Sequence, residues 1–301
     1  MKKFLALFLC ISLLLLTGCT AKPSSDKKII AVSFYPVYIF TLNIVDGIDE
    51  FSVECMAEQS TGCLHDYTIT AKDARLISDC SVFVVNGAGM ESFVEDLYHR
   101  EEDKRIVDSS VGVELICSHV HEEEHSGHSH NHEGNSHIWL SVDNAIKQVE
   151  NISNGIISAF PEYEEKIQEN TEDYLKTLSE LKKEIENVKP QLQGKCVVTF
   201  HDAYSYLARD LGFDILATIE SDEGGEPSAK ELAHISEEIK EHGIKALFIE
   251  PDYEGSAAEI LKNETGAEIY VLNPVISGEK EETAYEDTMR ENIKIILKAV
   301  N

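Results

Sequence analysis

The chain has 301 residues, 43% of them hydrophobic, with 26 basic residues set against 55 acidic ones. That length suits two domains of ordinary size, and the apolar content is enough for real cores. A net charge of −29 argues against nucleic acid or an anionic membrane surface as a partner. It is compatible with collecting cations, although many acidic proteins are merely soluble.

Residues 1–18 read as a secretory signal: Lys2 and Lys3, an apolar run Phe4–Leu16, then the small pair Thr17-Gly18. The run is short for a membrane span. The ending LTGC resembles a bacterial lipobox, which predicts cleavage before Cys19 and a lipid on its thiol. An ordinary signal with a chance cysteine is the plainer alternative. Residues 19–28 then form a lipidated tether, and the mature protein is expected outside the cytoplasm, anchored to the cell membrane.

From there the first third alternates strand and helix patterns. KIIAVSF is a short β-branched run and predicts a buried strand. Pro36 opens a helix that ends at Gly47. FSVECM (51–56) predicts a strand, AKDARLISDC (71–80) a helix, SVFVV (81–85) a strand, ESFVEDLYHR (91–100) a helix and RIVDSS (105–110) a strand. Such alternation implies a mostly parallel sheet covered on both faces. This N-terminal α/β lobe is assigned to 29–142.

The middle differs. Asp143–Ala159 reads as one helix, and Pro161 starts a longer one, with apolar positions at Ile167, Tyr174, Leu178, Leu181, Ile185 and Val188. That stripe predicts a helix of about 30 residues, roughly 40 Å long, able to cross a whole domain. A docked spine over 143–190 fits better than a coiled-coil dimer, because two to three heptads are few. The last third, 191–301, alternates again: strands at 195–200, 214–220, 244–250 and 268–274, helices after each, and a closing helix from about Glu281 to Ala299. The expected fold class is therefore α/β, two lobes of similar pattern joined by one long helix.

After Cys19, five cysteines remain: Cys55, Cys63, Cys80, Cys117 and Cys196. An odd number cannot all pair, and none shows the close CxxC spacing of structural zinc. Cys80 and Cys196 read as buried small hydrophobes. Cys55 and Cys63 flank a loop and are the candidates for a bridge.

Histidine is where the chemistry concentrates. Residues 119–133 hold His119, His121, His125, His128, His130 and His132 among Glu122–Glu124, with almost no apolar residue. Such a run cannot build a core and reads as a loop with many weak metal donors, or as a solvated acidic loop that binds metal incidentally. Three further histidines stand in structured contexts. His65 and His201 lie between a strand and the next helix, one in each half, and His137 leads into the long helical region. Loops at the carboxyl ends of parallel strands are where open α/β sheets bind ligands. Any one of these histidines alone is more simply a surface or hydrogen-bonded residue. Asp66 and Asp202 directly follow two of them and could accept the second ring N–H.

These pieces resemble a known family. LTGC, HDYTITAKD, NGAGMESF, HIWLSVDNA, FHDAYSYLARDLGF, GGEPSAKEL, FIEPDY and ETGAEIYVLNP match, in order, the solute-binding lipoproteins of ABC transporters for zinc and manganese, from Cys19 to Pro274. The resemblance implies two α/β lobes joined by a rigid backbone helix, with the metal between them and His65, His137 and His201 as imidazole ligands. It implies an ABC permease and its ATPase subunits as partners, a monomeric chain, and no catalysis. The His-rich loop matches the zinc-specific members.

The fourth ligand departs from the pattern. Ile276 stands where relatives often carry an acid, and Glu279, Glu281 and Glu282 cannot be aligned with it. Glu250 in FIEPDY reads as a structural acid. Water or a loop histidine are the other choices. Imidazole favours zinc over manganese, so Zn²⁺ is the expected cargo, with Mn²⁺ the alternative. A zinc hydrolase needs a general base and has no HExxH, deaminase or GxSxG signature here. A metal-storage or adhesin lipoprotein has no residue that speaks for it.

Overall fold

The structure is a computed structural model that describes residues 27–57, 67–94, 105–116, 134–219 and 227–301. In the first half, β1 (Lys28–Val32), β2 (Phe51–Cys55), β3 (Val82–Val85) and β4 (Arg105–Asp108) pair in the order β2-β1-β3-β4, all parallel. In the second, β5 (Cys196–Thr199), β6 (Asp214–Thr218), β7 (Ala246–Ile249) and β8 (Glu268–Val271) repeat that order as β6-β5-β7-β8, again all parallel. Each sheet thus reverses its winding between its first and third strands. In both, the reversal opens a crevice at the strands' carboxyl ends.

The helices follow the punctuation of the sequence. α1 (Tyr35–Val45) has Pro36 in its first turn, where the missing N–H costs nothing. α2 (Ala71–Asp79) begins at a reciprocal cap: the Thr70 hydroxyl accepts from Asp73 N–H while the Asp73 carboxylate accepts from Thr70 N–H. α3 (Val142–Ala159) is followed by a single 3₁₀ turn, Pro161–Tyr163, and then by α4 (Glu164–Leu192), so the long segment after Pro161 enters through a tighter turn than a continuous helix. α5 (Ser205–Leu211), α6 (Ala229–His242) and α7 (Ala257–Thr265) each end on a glycine in the left-handed region, Gly212, Gly243 and Gly266. α8 (Ala284–Val300) closes the chain. Of the helix expected over 91–100, the structure describes one 3₁₀ turn, Ser92–Val94, the rest lying outside the described residues.

α4 is the spine. Its buried stripe, Ile167, Tyr174, Leu178, Leu181, Ile185 and Leu192, packs on α1 and α3 of the first half and on α5 and α8 of the second. The stripe is used up within the chain, which removes the coiled-coil alternative. One contiguous core, running from Ile30 and Val32 through Leu178 and Leu181 to Phe248 and Ile296, spans both halves. Cys80 is buried as expected, whereas Cys196 is only partly so. Cys63 lies outside the described residues, as do residues 1–26 with Cys19. No helix among the described residues is long and apolar enough to cross a membrane.

Candidate metal site

His201 directly follows Phe200 at the carboxyl end of β5, beside β7. His137 caps the 3₁₀ turn Ile138–Leu140 that leads into α3. The chain separates them by 64 positions, yet their Nε2 atoms are 3.0 Å apart, with the rings at 87°. Both are buried, His137 4% and His201 9% exposed. Two donors of a tetrahedral zinc with Zn–N near 2.0–2.1 Å stand about 3.3–3.4 Å apart. The observed pair is within about 0.4 Å of that spacing. Without a metal, two ring nitrogens this close require a proton between them, so an arriving cation takes the place of that proton.

Glu250 follows β7, the strand beside β5, and its Oε1 lies 4.0 Å from His201 Nε2. The sequence reads it as a structural acid; the fold puts its carboxylate near His201. The Glu279 carbonyl accepts from Tyr35 Oη at 2.5 Å, and the Glu282 carbonyl accepts from Asn43 Nδ2 at 2.9 Å, which lays residues 279–282 along α1. Burial pushes the Glu282 carboxyl up, and neighbouring Asp46 adds to this, so that group belongs to the far end of α1. Ile276 is partly buried against the core. His65 and the six loop histidines lie outside the described residues. Among the described residues, no three His, Cys, Asp or Glu side chains form a complete metal shell.

The turn that carries His137 is held from both lobes. Asn135, two residues before it, accepts from His137 N–H at 2.9 Å and lies 3.0 Å from His137 Nδ1, both through Oδ1. Its Nδ2 donates to the Asp202 carbonyl at 2.6 Å, beside His201. Sequence reasoning missed this residue. The Asn-x-His spacing in GNSH was its only signal, and it read as the tail of the polar loop. The Asp202 carboxylate accepts from the Ser205 hydroxyl at 2.8 Å.

A second support comes from NGAGMES. Asn86, at the carboxyl end of β3, donates through Nδ2 to the Ser136 carbonyl at 3.0 Å and accepts from Gln148 Nε2 at 3.0 Å. The turn after it is left-handed at Gly87, Ala88 and Gly89. A Cβ at Gly87 would lie 1.9 Å from Asp108 Oδ1, so only glycine fits. Glu91 closes the turn, its two carboxylate oxygens accepting from Asn86 N–H at 2.7 Å and Gly87 N–H at 3.0 Å. Burial pushes the Glu91 carboxyl up to about 7, against the opposing pull of the Asn86 and Gly87 N–H donors.

An acid raised in the folded state binds more protons there than when unfolded, so its ionisation weakens the fold. Stability from this group is full below the ordinary glutamate range and falls by about 3 kcal/mol as pH rises from about 4.5 through about 7. Denaturant unfolding of the parent and of Glu91→Gln, at about pH 5 and about pH 8, checks this. The parent should lose ground to the variant at the higher pH; a difference independent of pH contradicts it.

A family model described as zinc-uptake complex component A, periplasmic, matches residues 30–299. The chain belongs to this family. It is 31% identical over 306 residues to the zinc-binding lipoprotein AdcA of Streptococcus pneumoniae, covering 98% of this chain and 60% of that protein. It is also 31% identical to the high-affinity zinc uptake system protein ZnuA of Bacillus subtilis, covering 92% of this chain and 89% of that protein. The chain thus spans a little over half the length of the streptococcal relatives. Among solved structures, the Zn(II)-bound ZnuA-like domain of Streptococcus pneumoniae AdcA superposes with a TM-score of 0.75 at 29% identity, covering 91% of this chain and 99% of that one. The two-lobed fold with its long helix is the fold of this family, and manganese-bound and nickel-bound neighbours share it.

Proposed function

We propose that this chain is the extracytoplasmic metal-binding component of an ABC importer, capturing Zn²⁺ between its lobes and delivering it to a membrane permease driven by ATPase subunits. The observation that carries the reading is the buried His137–His201 pair, with Nε2 atoms 3.0 Å apart. His65, in HDYTITAKD, is the third ligand. Glu250 closes the shell from β7 by a small side-chain rotation, in place of the acids at 279–282. Three neutral imidazoles and one carboxylate suit zinc better than manganese, which prefers an oxygen-rich shell. The names of the relatives, a zinc-binding lipoprotein and a zinc uptake protein, support the same cargo.

Imidazole ligands must be neutral to bind, so affinity falls as pH drops through the histidine range. The Thr17-Gly18-Cys19 ending supports a lipid anchor on Cys19. The cleft holds a cargo and performs no reaction. The loop with His119, His121, His125, His128, His130 and His132 gathers zinc weakly near the cleft.

Titration of the metal-stripped mature chain with Zn²⁺ and with Mn²⁺, alongside a version lacking residues 119–133, tests this reading. One tight zinc site that survives the deletion and is poorly filled by manganese is expected. Loss of tight binding with the loop would turn the protein into a metal sponge. Preference for manganese would overturn the cargo.

A further inference from the structure

We propose that Asn135 is the positioning residue of the metal site: it fixes His137 in the Nδ1–H tautomer and ties this ligand to the loop that carries His201. The proposal rests on reading the histidine pair as a zinc site, but its first element is a property of the metal-free chain.

The orientation of the Asn135 amide follows from two backbone partners. His137 N–H can only donate, so the group 2.9 Å from it is the amide oxygen. The Asp202 carbonyl can only accept, so the group 2.6 Å from it is the amide nitrogen. Both assignments agree, which places Oδ1 3.0 Å from His137 Nδ1. An amide oxygen has no proton to give, so His137 Nδ1 carries the hydrogen. In the neutral ring, the lone pair then sits on Nε2, the atom that faces His201 Nε2. The ring is thus in the tautomer that ligation through Nε2 requires before any metal arrives.

The remaining bonds hold Asn135 itself in place. Its N–H donates to the Ile116 carbonyl at 2.7 Å, and its carbonyl accepts from the Tyr206 hydroxyl at 2.7 Å. That hydroxyl in turn accepts from Ile116 N–H at 3.1 Å. Tyr206 belongs to α5 and Ile116 to the segment that follows β4, so Asn135 is gripped by both lobes. It is 3% exposed, and water does not compete for its amide. Outer-shell partners of metal-bound histidines typically contribute about 10–100-fold in metal affinity.

Two substitutions separate the two functions. Asn135→Ala removes both the acceptor and the tie to Asp202. Asn135→Asp keeps an acceptor for His137 and loses the donor to Asp202. Each is read by ¹⁵N NMR of the histidine rings in metal-free protein at about pH 8, where an ordinary histidine is neutral, and by zinc titration. In the parent, His137 should show a protonated Nδ1 and an unprotonated Nε2; the opposite pattern overturns the proposal without any variant having to fold. Asn135→Ala should mix the tautomers and lower zinc affinity by about 10–100-fold. Asn135→Asp should restore the Nδ1–H tautomer. Affinity lost in Asn135→Ala with the tautomer unchanged would make Asn135 a structural residue only and overturn the assignment. Failure of the zinc reading looks different: His137→Ala would then bind zinc as tightly as the parent, while the tautomer in the parent stayed as assigned.

Discussion

Replacing His201 by alanine lowers zinc affinity by more than about a hundred-fold and leaves the fold in place. The loss should exceed the about 10–100-fold typical of an outer-shell residue, because His201 supplies a nitrogen to the metal directly. Its ring stands at the end of β5, 3.0 Å from His137 Nε2 and 4.0 Å from Glu250 Oε1, so truncation opens a side of the proposed shell. Phe200 and Ala203, on either side, are themselves buried in the core. Competition against a chromophoric zinc chelator measures the affinity, and circular dichroism the fold. Tight binding retained in His201→Ala would remove the cleft as the capture site.

The other large effect falls on Trp139, two residues past His137. Alanine there should destabilise the chain by about 3–5 kcal/mol, the usual range for a buried tryptophan. The ring is fully buried, meets Phe34 edge-on with centroids 4.9 Å apart, and lies 5.2 Å from the His137 ring. Its indole N–H donates to the Pro274 carbonyl at 2.7 Å, and its own carbonyl accepts from the Tyr285 hydroxyl at 2.7 Å. Trp139 therefore ties the turn bearing His137 to the C-terminal lobe. Beyond Pro274, Val275 is held at φ +61°, a conformation a β-branched residue adopts only under constraint. The constraint is visible: Asn273 Oδ1 accepts from Val275 N–H at 2.8 Å, and Asn292 grips both backbone groups of Asn273. Trp139→Phe keeps most of the apolar contact but leaves the Pro274 carbonyl without its donor, a cost of about 1–3 kcal/mol. Denaturant midpoints of the three proteins order the effects. If Trp139→Phe is as damaging as Trp139→Ala, the hydrogen bond between the lobes matters more than packing. If neither moves the midpoint, the tie is not structural.

Much of this was legible in the sequence, for identifiable reasons. Runs such as VFVV and CVVT are too short and too β-branched to be helices, and Pro36, Gly212 and Gly243 mark where helices start or stop. The spine showed itself through the spacing of Ile167, Tyr174, Leu178, Leu181 and Ile185. His137 and His201 were singled out from context, each at the entry to a helical region. Partnerships between distant residues were not legible. Nothing in GNSH reveals that Asn135 reaches Asp202, because that contact depends on how the lobes are set against each other. Nothing in FIEP reveals that Glu250 comes near His201, because that depends on β7 lying beside β5. The neighbouring Asp202 accepts from the Ser205 hydroxyl, a contact that its place after His201 does not announce. The acids at 279–282 follow LNP closely in the chain, and their segment turns along α1, with Lys280 over the Tyr38 ring.

The central claim is that one zinc ion bridges histidines from both lobes. Anomalous diffraction at the zinc edge, from crystals of the zinc-loaded chain, tests it most directly. The account predicts one strong peak about 2.0–2.1 Å from both His137 Nε2 and His201 Nε2. Density only among residues 119–133, with the two imidazoles still 3.0 Å apart and empty between, would contradict it.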